Sequence, residues 1–152
     1  MKQLNLGCGV RPMPGAVNHD RIRHAGYVDV AHDLDILPWP WANEEFDRVY
    51  ALDVMEHLKL DVQQWLDECW RILKPGGLLA LRVAGWKSPN SWRDPTHRRV
   101  FDVQSFDYWD PTKELYHNYG HFYFAESNRW WRVEEAGEVN GGDVAVVLRK
   151  LV

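Results

Sequence analysis

Two short strand-like segments near the N-terminus end in chemically distinctive residues only thirteen positions apart, and this spacing constrains the architecture more than any other feature. Gln3-Leu4-Asn5-Leu6 runs into Gly7-Cys8-Gly9, and Ala16-Val17-Asn18-His19-Asp20 ends in a carboxylate. Glycine and proline punctuate the stretch between them. Gly7 and Asp20 therefore close two neighbouring strands with no room for a full helix between them. A chain of 152 residues is one domain's worth, so residues 1–152 are expected to form a single core.

The rest of the chain continues in strands and connections. Tyr27-Val28-Asp29-Val30 predicts a third strand leading to Asp33-Leu34, Pro38-Trp39-Pro40-Trp41 a stiff loop, and Phe46 to Leu52 a fourth strand. Asp61 and Gln64 form a capping-box pair, and Val62, Trp65, Leu66, Cys69, Ile72 and Leu73 recur at helical intervals until Pro75-Gly76-Gly77 stops them. The apolar run Leu78 to Val83 predicts a strand covered on both faces. Asn140-Gly141-Gly142, between Trp131-Arg132-Val133-Glu134 and Asp143 to Leu148, predicts an antiparallel hairpin. The implied class is α/β with a mostly parallel sheet. Residues 84–129 form a long insertion whose only helix candidate is Val103 to Trp109, and a connection of that length suits a lid or binding loop.

Composition sets further limits. Apolar residues at 45% and charged residues at 26% suit a soluble globular chain. A net charge of −4 disfavours a broad electrostatic grip on nucleic acid or anionic membrane. No apolar run reaches the roughly 18–20 residues of a membrane span, and Met1-Lys2-Gln3-Leu4 carries no secretory pattern, so a cytoplasmic location is expected. Cys8 and Cys69 lack disulfide or zinc-finger spacing and are expected to be non-catalytic thiols. Of nine tryptophans, the pairs Trp39/Trp41, Trp86/Trp92 and Trp130/Trp131 read as core margin or oligomer interface before substrate platform.

The chemistry concentrates at the strand ends. A glycine turn lets backbone approach a ligand at the carboxyl edge of an open sheet, and an acid closing the next strand can accept both hydroxyls of a ribose. A dinucleotide fingerprint would need a third glycine where Pro12 stands and an acid about 20 residues on. A pyrophosphate site, and with it a nicotinamide-dependent oxidoreductase, is disfavoured. A phosphate-free nucleoside such as S-adenosylmethionine asks less of this turn.

Leu4-Asn5-Leu6-Gly7-Cys8-Gly9, Asn18-His19-Asp20, Asp33-Leu34, Phe46-Asp47-Arg48-Val49-Tyr50, Glu56-His57-Leu58 and Leu73-Lys74-Pro75-Gly76-Gly77 together resemble, in order, the motifs of class I S-adenosylmethionine-dependent methyltransferases. The resemblance implies a Rossmann-like fold and S-adenosyl-L-methionine as cofactor. It places the turn Gly7, Cys8 and Gly9, with Leu6 before it, against the methionine part, and Asp20, with neighbouring Arg21, at the ribose. It places Asp33 and the Leu34 backbone at the adenine edge, and Leu52 and Asp53 near the sulfonium and amino group. Asp94-Pro95-Thr96-His97 with Phe101 resembles a stretch that covers the substrate in some members. The helices that members usually carry before the first strand and after the glycine turn are missing here, which leaves one flank of the sheet bare for tryptophans or a second subunit to cover.

The acceptor is read as a small molecule or sugar. The family's asparagine-proline-proline-aromatic and proline-cysteine motifs for DNA bases are absent, so nucleic-acid acceptors are not expected. Methyl transfer needs no protein nucleophile, but a hydroxyl acceptor needs a proton acceptor. His97 and His57 are the candidates, with Asp94 as orienting partner. His117 and His121 have a metal-compatible spacing, but Asn118-Tyr119-Gly120 argues against the helix that would bring them together, so no metal is expected there. Arg93, Arg98 and Arg99 beside Trp92 read as a solvated loop before an anion or sugar subsite. The alternative to an enzyme is a catalytically inactive module that binds S-adenosylmethionine or a nucleoside.

Overall fold

A computed structural model describes all of residues 1–152. Four parallel strands form first: β1 (Gln3–Leu6), β2 (Val17–Asp20), β3 (Val30–Ala31) and β4 (Phe46–Leu52). Helix α1 (Val62–Ile72) leads into β5 (Leu73–Val83). Short helix α2 (Pro89–Arg93), further helical turns and the hairpin β6 (Trp131–Val139) and β7 (Asp143–Lys150) follow. The seven strands lie in the order β3-β2-β1-β4-β5-β7-β6, with β7 antiparallel to both β5 and β6. The sheet order turns back at β1, between β2 and β4, so the carboxyl ends of these strands open the crevice in which such sheets bind ligands.

Helix α1 begins where its chemistry demands. The Asp61 carboxylate accepts from the Gln64 backbone N–H at 2.7 Å, and the Gln64 side chain reaches back to the Asp61 N–H. The two contacts satisfy donors that a helix start leaves orphaned. Its buried face, Trp65, Leu66, Cys69 and Ile72, packs into one cluster of 25 buried apolar residues.

Tryptophans of the proline-rich loop pack against one another and against helix α1 at the core. Trp39 and Trp41 are buried on the proline-rich loop and meet edge to face at 6.1 Å, while Trp39 meets Trp65 at 6.2 Å and Trp41 meets Phe46 at 6.1 Å. The buried Glu68 carboxylate accepts the Trp39 N–H and pairs with Arg71, whose guanidinium also donates to the Trp39 and Trp41 carbonyls. Trp131 is fully buried, whereas Trp86 and Trp92 are exposed.

Four local expectations are corrected. The third strand is Val30–Ala31 rather than Tyr27 to Val30, because its pairing is with His19 and Asp20 at the very tip of β2. Strand β5 begins at Leu73, ahead of Pro75-Gly76-Gly77, since Leu73 already pairs with Phe46 and a bulge absorbs the glycines. The run Leu78 to Val83 is covered on one face only: Leu79, Leu81 and Val83 are buried, while Leu78, Ala80 and Arg82 are partly exposed beside Arg48, Tyr50 and Val147. The segment through His117 and His121 is helical after all, a π-turn over Tyr116–Gly120 followed by His121–Tyr123. Gly120 permits that turn, because any Cβ there would strike the Tyr108 carbonyl.

Candidate active site

The tips of β1 and β2 are built as one unit. Gly7 and Gly9 take positive φ of 66° and 55°, a region open to glycine at little cost. The Gly9 N–H donates to Asp20 Oδ2 at 2.9 Å, and the Ile22 N–H donates to Asp20 Oδ1 at 3.1 Å. Beneath them, buried His19 receives the Gly7 N–H on Nδ1 (3.4 Å) and donates from Nε2 to the His32 carbonyl (2.8 Å). Burial holds the His19 imidazole below its ordinary pKa, so the neutral tautomer is the one the turn is built on.

Beside this unit lies a cavity of about 470 Å³ whose wall includes Gly7, Asp20, Arg21, Asp33, Leu34 and Asp53. Val54, His57, Leu58 and Thr96 complete its far side. Leu6 and Cys8 are buried behind the turn, Gly9 is outside the wall, and Leu52 is 41% exposed. The Leu34 carbonyl is taken by the Trp39 indole N–H at 2.9 Å, which anchors this edge of the cavity to the tryptophan loop. Acids stand ready for hydroxyl and amino groups, with apolar Leu34, Val54 and Leu58 between them and Arg21 the only arginine or lysine, beside His19 and His57. That acceptor set suits a phosphate-free nucleoside with an amino-acid tail, and S-adenosylmethionine is of that kind.

A second cavity of about 450 Å³ adjoins the first and shares Asp53 and His57 with it. Its other lining residues are Glu56, Ala84, Asn90, Arg93, Asp94, His97 and Asp143. Part of the insertion folds across its mouth. Phe101 N–H donates to the Ala84 carbonyl and Trp86 N–H to the Phe101 carbonyl, each at 2.9 Å. The Arg98 N–H donates to the Glu56 carbonyl at 2.8 Å, and the Arg99 side chain to the Leu58 and Leu60 carbonyls. Asp53, at φ 61°, turns the chain from β4 into the helical turn Met55–His57, and Arg82 on β5 grips its carboxylate through both oxygens.

The two histidines proposed from sequence meet here. Their rings lie 4.7 Å apart at 72°. The Thr96 hydroxyl donates to Asp94 Oδ1 (2.7 Å), which leaves its oxygen to accept from His57 Nδ1 (2.9 Å). His97 Nδ1 lies 3.3 Å from the Ser91 carbonyl, a group that can only accept. In its neutral form each ring thus carries the proton on Nδ1 and a lone pair on Nε2. Burial and the neighbouring His97 hold His57 below its ordinary pKa, and the Thr96 hydroxyl and N–H hold Asp94 below the usual carboxylate range.

Glu56 is the functional candidate that sequence reasoning did not assign. It is 1% exposed, its Oε2 has no hydrogen-bond partner, and burial pushes its pKa up to about 7. Its position in Glu56-His57-Leu58 was the available signal, and residue type alone gave it no role. Asn90 and Asp143 come from an insertion helix and from the hairpin, which no local pattern connects to His57.

An acid-lined crevice at the reversal point of a Rossmann-like sheet defines the broad class. A family model described as "Methyltransferase domain" matches residues 4–81, just over half of the chain, which therefore belongs to the S-adenosylmethionine-dependent methyltransferase family. "Methyltransferase GfsG" of Streptomyces halstedii is 42% identical over 102 residues, covering 53% of this chain and 36% of that protein. Ubiquinone biosynthesis O-methyltransferase of Nitrobacter winogradskyi is 40% identical over 58 residues, 37% of this chain and 20% of that one. The chain thus spans little more than a third of the longest-matching of these curated relatives. Among solved structures, phosphoethanolamine N-methyltransferase 1 of Haemonchus contortus, in complex with phosphoethanolamine and S-adenosylhomocysteine, superposes with a TM-score of 0.71 at 14% identity over 99% of this chain and 39% of that one. A Haloferax volcanii methyltransferase in complex with its Trm112 activator gives 0.64 at 13% identity, over 99% and 83%. At such identities the superpositions establish the fold. No helix is long and apolar enough to cross a membrane.

Proposed function

We propose that this chain transfers a methyl group from S-adenosylmethionine to a small, hydroxyl-bearing acceptor, sugar-like molecules included. The observation that carries this reading is the pair of adjoining cavities: one lined by the residues expected to hold the cofactor, the other by groups that handle protons, with Asp53 and His57 on the wall common to both. When bound, the cofactor supplies an electrophilic methyl group on a sulfonium that leaves as a neutral thioether.

The chain's own residues do the rest. Asp20 and Asp33 accept from the cofactor's hydroxyl and amino groups, and Asp53 faces its positively charged end. Arg82 keeps Asp53 in one orientation. In the second cavity, the lone pairs of His57, His97 and Glu56 face the acceptor and promote loss of its hydroxyl proton, while Thr96, backed by Asp94, holds His57 and the Ser91 carbonyl holds His97 in the required tautomer. Residues 84–101 serve as the acceptor-side cover, and the whole chain acts as one methyltransferase domain.

Calorimetry with S-adenosylhomocysteine tests the cofactor half. Asp20→Ala should weaken binding by about 1–3 kcal/mol, the cost of leaving buried donors without an acceptor. Transfer of labelled methyl to a panel of polyols, phenols and sugars tests the acceptor half. Wild-type affinity in Asp20→Ala would remove the cofactor assignment, and tight cofactor binding without turnover on any hydroxyl compound would favour a binding module.

A further inference from the structure

One donor atom from each of Glu56, His57 and His97 lies within 4.8 Å of those of the other two. The hydrogen bonds described above occupy Nδ1 of both rings, so Nε2 is the nitrogen that each ring has left to offer an ion. His97 Nε2 also lies 3.5 Å from Asp94 Oδ2. Glu56, His57 and His97 thus offer two imidazole nitrogens and one carboxylate to a single point, with the Asp94 carboxylate beside it. Such a set attracts a cation. Glu56 Oε2 sharpens the demand, because it is an acceptor in a residue 1% exposed and has no donor at all.

We infer that Glu56, His57 and His97 form a binding site for one divalent transition-metal ion of the zinc type. Two imidazole nitrogens and one carboxylate are a ligand set that leaves a fourth position open, as hydrolytic zinc sites do. Each ring already has the outer partner that a metal-bound histidine uses: a hydroxyl backed by a carboxylate for His57 and a backbone carbonyl for His97. The open position faces the second cavity. An acceptor hydroxyl oxygen bound there releases its proton to water more readily and meets the methyl donor as a better nucleophile. This inference rests on the proposed transfer for its purpose, but the binding of the ion does not.

The test uses the full chain, freed of metal by dialysis and titrated with Co²⁺. The expected result is one bound Co²⁺ with the intense visible absorption of a low-coordinate site, displaced by Zn²⁺. The affinity should fall about tenfold or more in His97→Ala and Glu56→Gln, and by less in Thr96→Val, which removes an outer partner and no ligand. Circular dichroism establishes that each variant is folded. Should a variant unfold, nitrogen NMR on the wild-type protein replaces it: Zn²⁺ must shift Nε2 of both His57 and His97 and leave Nδ1 protonated. Absence of the low-coordinate Co²⁺ spectrum, its persistence in folded His97→Ala and Glu56→Gln, or Nε2 signals that Zn²⁺ does not move would each overturn the proposal. S-adenosylhomocysteine titrations of the same samples separate the two readings, because His97 lies outside the cofactor cavity. Failure of wild-type protein to bind that compound would remove the cofactor assignment and leave the metal result unaffected.

Discussion

A Cβ built on Gly7 would lie 2.5 Å from Cγ2 of Val54, so the glycine that opens the crevice is dictated from behind by the residue that follows Asp53. Gly9 differs, since a Cβ there would meet nothing within 4 Å and only its φ of 55° calls for glycine. Gly7→Ala should therefore destabilise the fold by about 2–4 kcal/mol, combining positive-φ strain with overpacking. Gly7→Ala/Val54→Ala should recover the overpacking part and keep the strain. Urea titrations of the four species check this, and a double variant no better than Gly7→Ala would refute the steric account.

His19 supplies a pH signature. Its folded-state pKa lies below the unfolded value, because burial opposes charging while Nδ1 must stay unprotonated to receive the Gly7 N–H. Below a pH of about 6.5 the unfolded chain binds a proton here that the folded chain resists, so stability is full above that value and falls as the pH drops from there toward the folded pKa. His19→Gln should flatten this part of the curve. Denaturant midpoints between about pH 7.5 and 5.5, a unit either side of the unfolded value, are the measurement, and an unchanged slope in the variant would assign the effect elsewhere.

Much of this arrangement was legible because it is local. Asp61 with Gln64, Asn140-Gly141-Gly142 and the Gly7 to Gly9 turn each carry their conformation in a few residues, and the helix, hairpin and crevice turn form there. Gly7, Asp20, Arg21, Asp33, Leu34 and Asp53 line one cavity because strand ends align wherever parallel strands do. What could not be read was decided at long range. The one-sided burial of Leu78 to Val83 depends on which face α1 and the tryptophans cover. The Val30–Ala31 strand depends on where β2 ends, and Glu56 acquires its character only when residues 94–99 fold over it. His117 and His121 adopt a helical turn against a local pattern that opposes one, because Gly120 fits beneath Tyr108.

The Glu68–Arg71 pair locks the tryptophan loop. Burial would raise the Glu68 pKa, but hydrogen bonds from Arg71 and the Trp39 N–H more than offset it and hold the carboxyl below its usual range. Arg71→Met leaves that carboxylate in place with one donor and frees two loop carbonyls. A loss of about 2–4 kcal/mol is expected, somewhat below the figure for a fully buried pair because the Arg71 side chain is 20% exposed. Thermal denaturation with intrinsic tryptophan fluorescence reports both the loss and the loosening of Trp39 and Trp41; an unshifted melting curve would show that the loop is held by packing alone.

Asp53 separates a backbone requirement from a charge. At φ 61° it occupies a region that asparagine also visits, so Asp53→Asn preserves the turn from β4 into Met55–His57. Its ion pair with Arg82 joins side chains 45% and 34% exposed, a setting in which such pairs contribute about 0–1 kcal/mol. Folding stability should accordingly change by less than about 1 kcal/mol. Function should respond more, because Asp53 stands on the wall common to both cavities and faces the place assigned to the cofactor's positive end. The expected outcome is weaker binding of S-adenosylmethionine, with a smaller loss for S-adenosylhomocysteine, which lacks the sulfonium charge. Paired calorimetric titrations measure the difference, and equal losses for the two compounds would show that Asp53 acts on the amino-acid end that both share and not on the sulfonium charge.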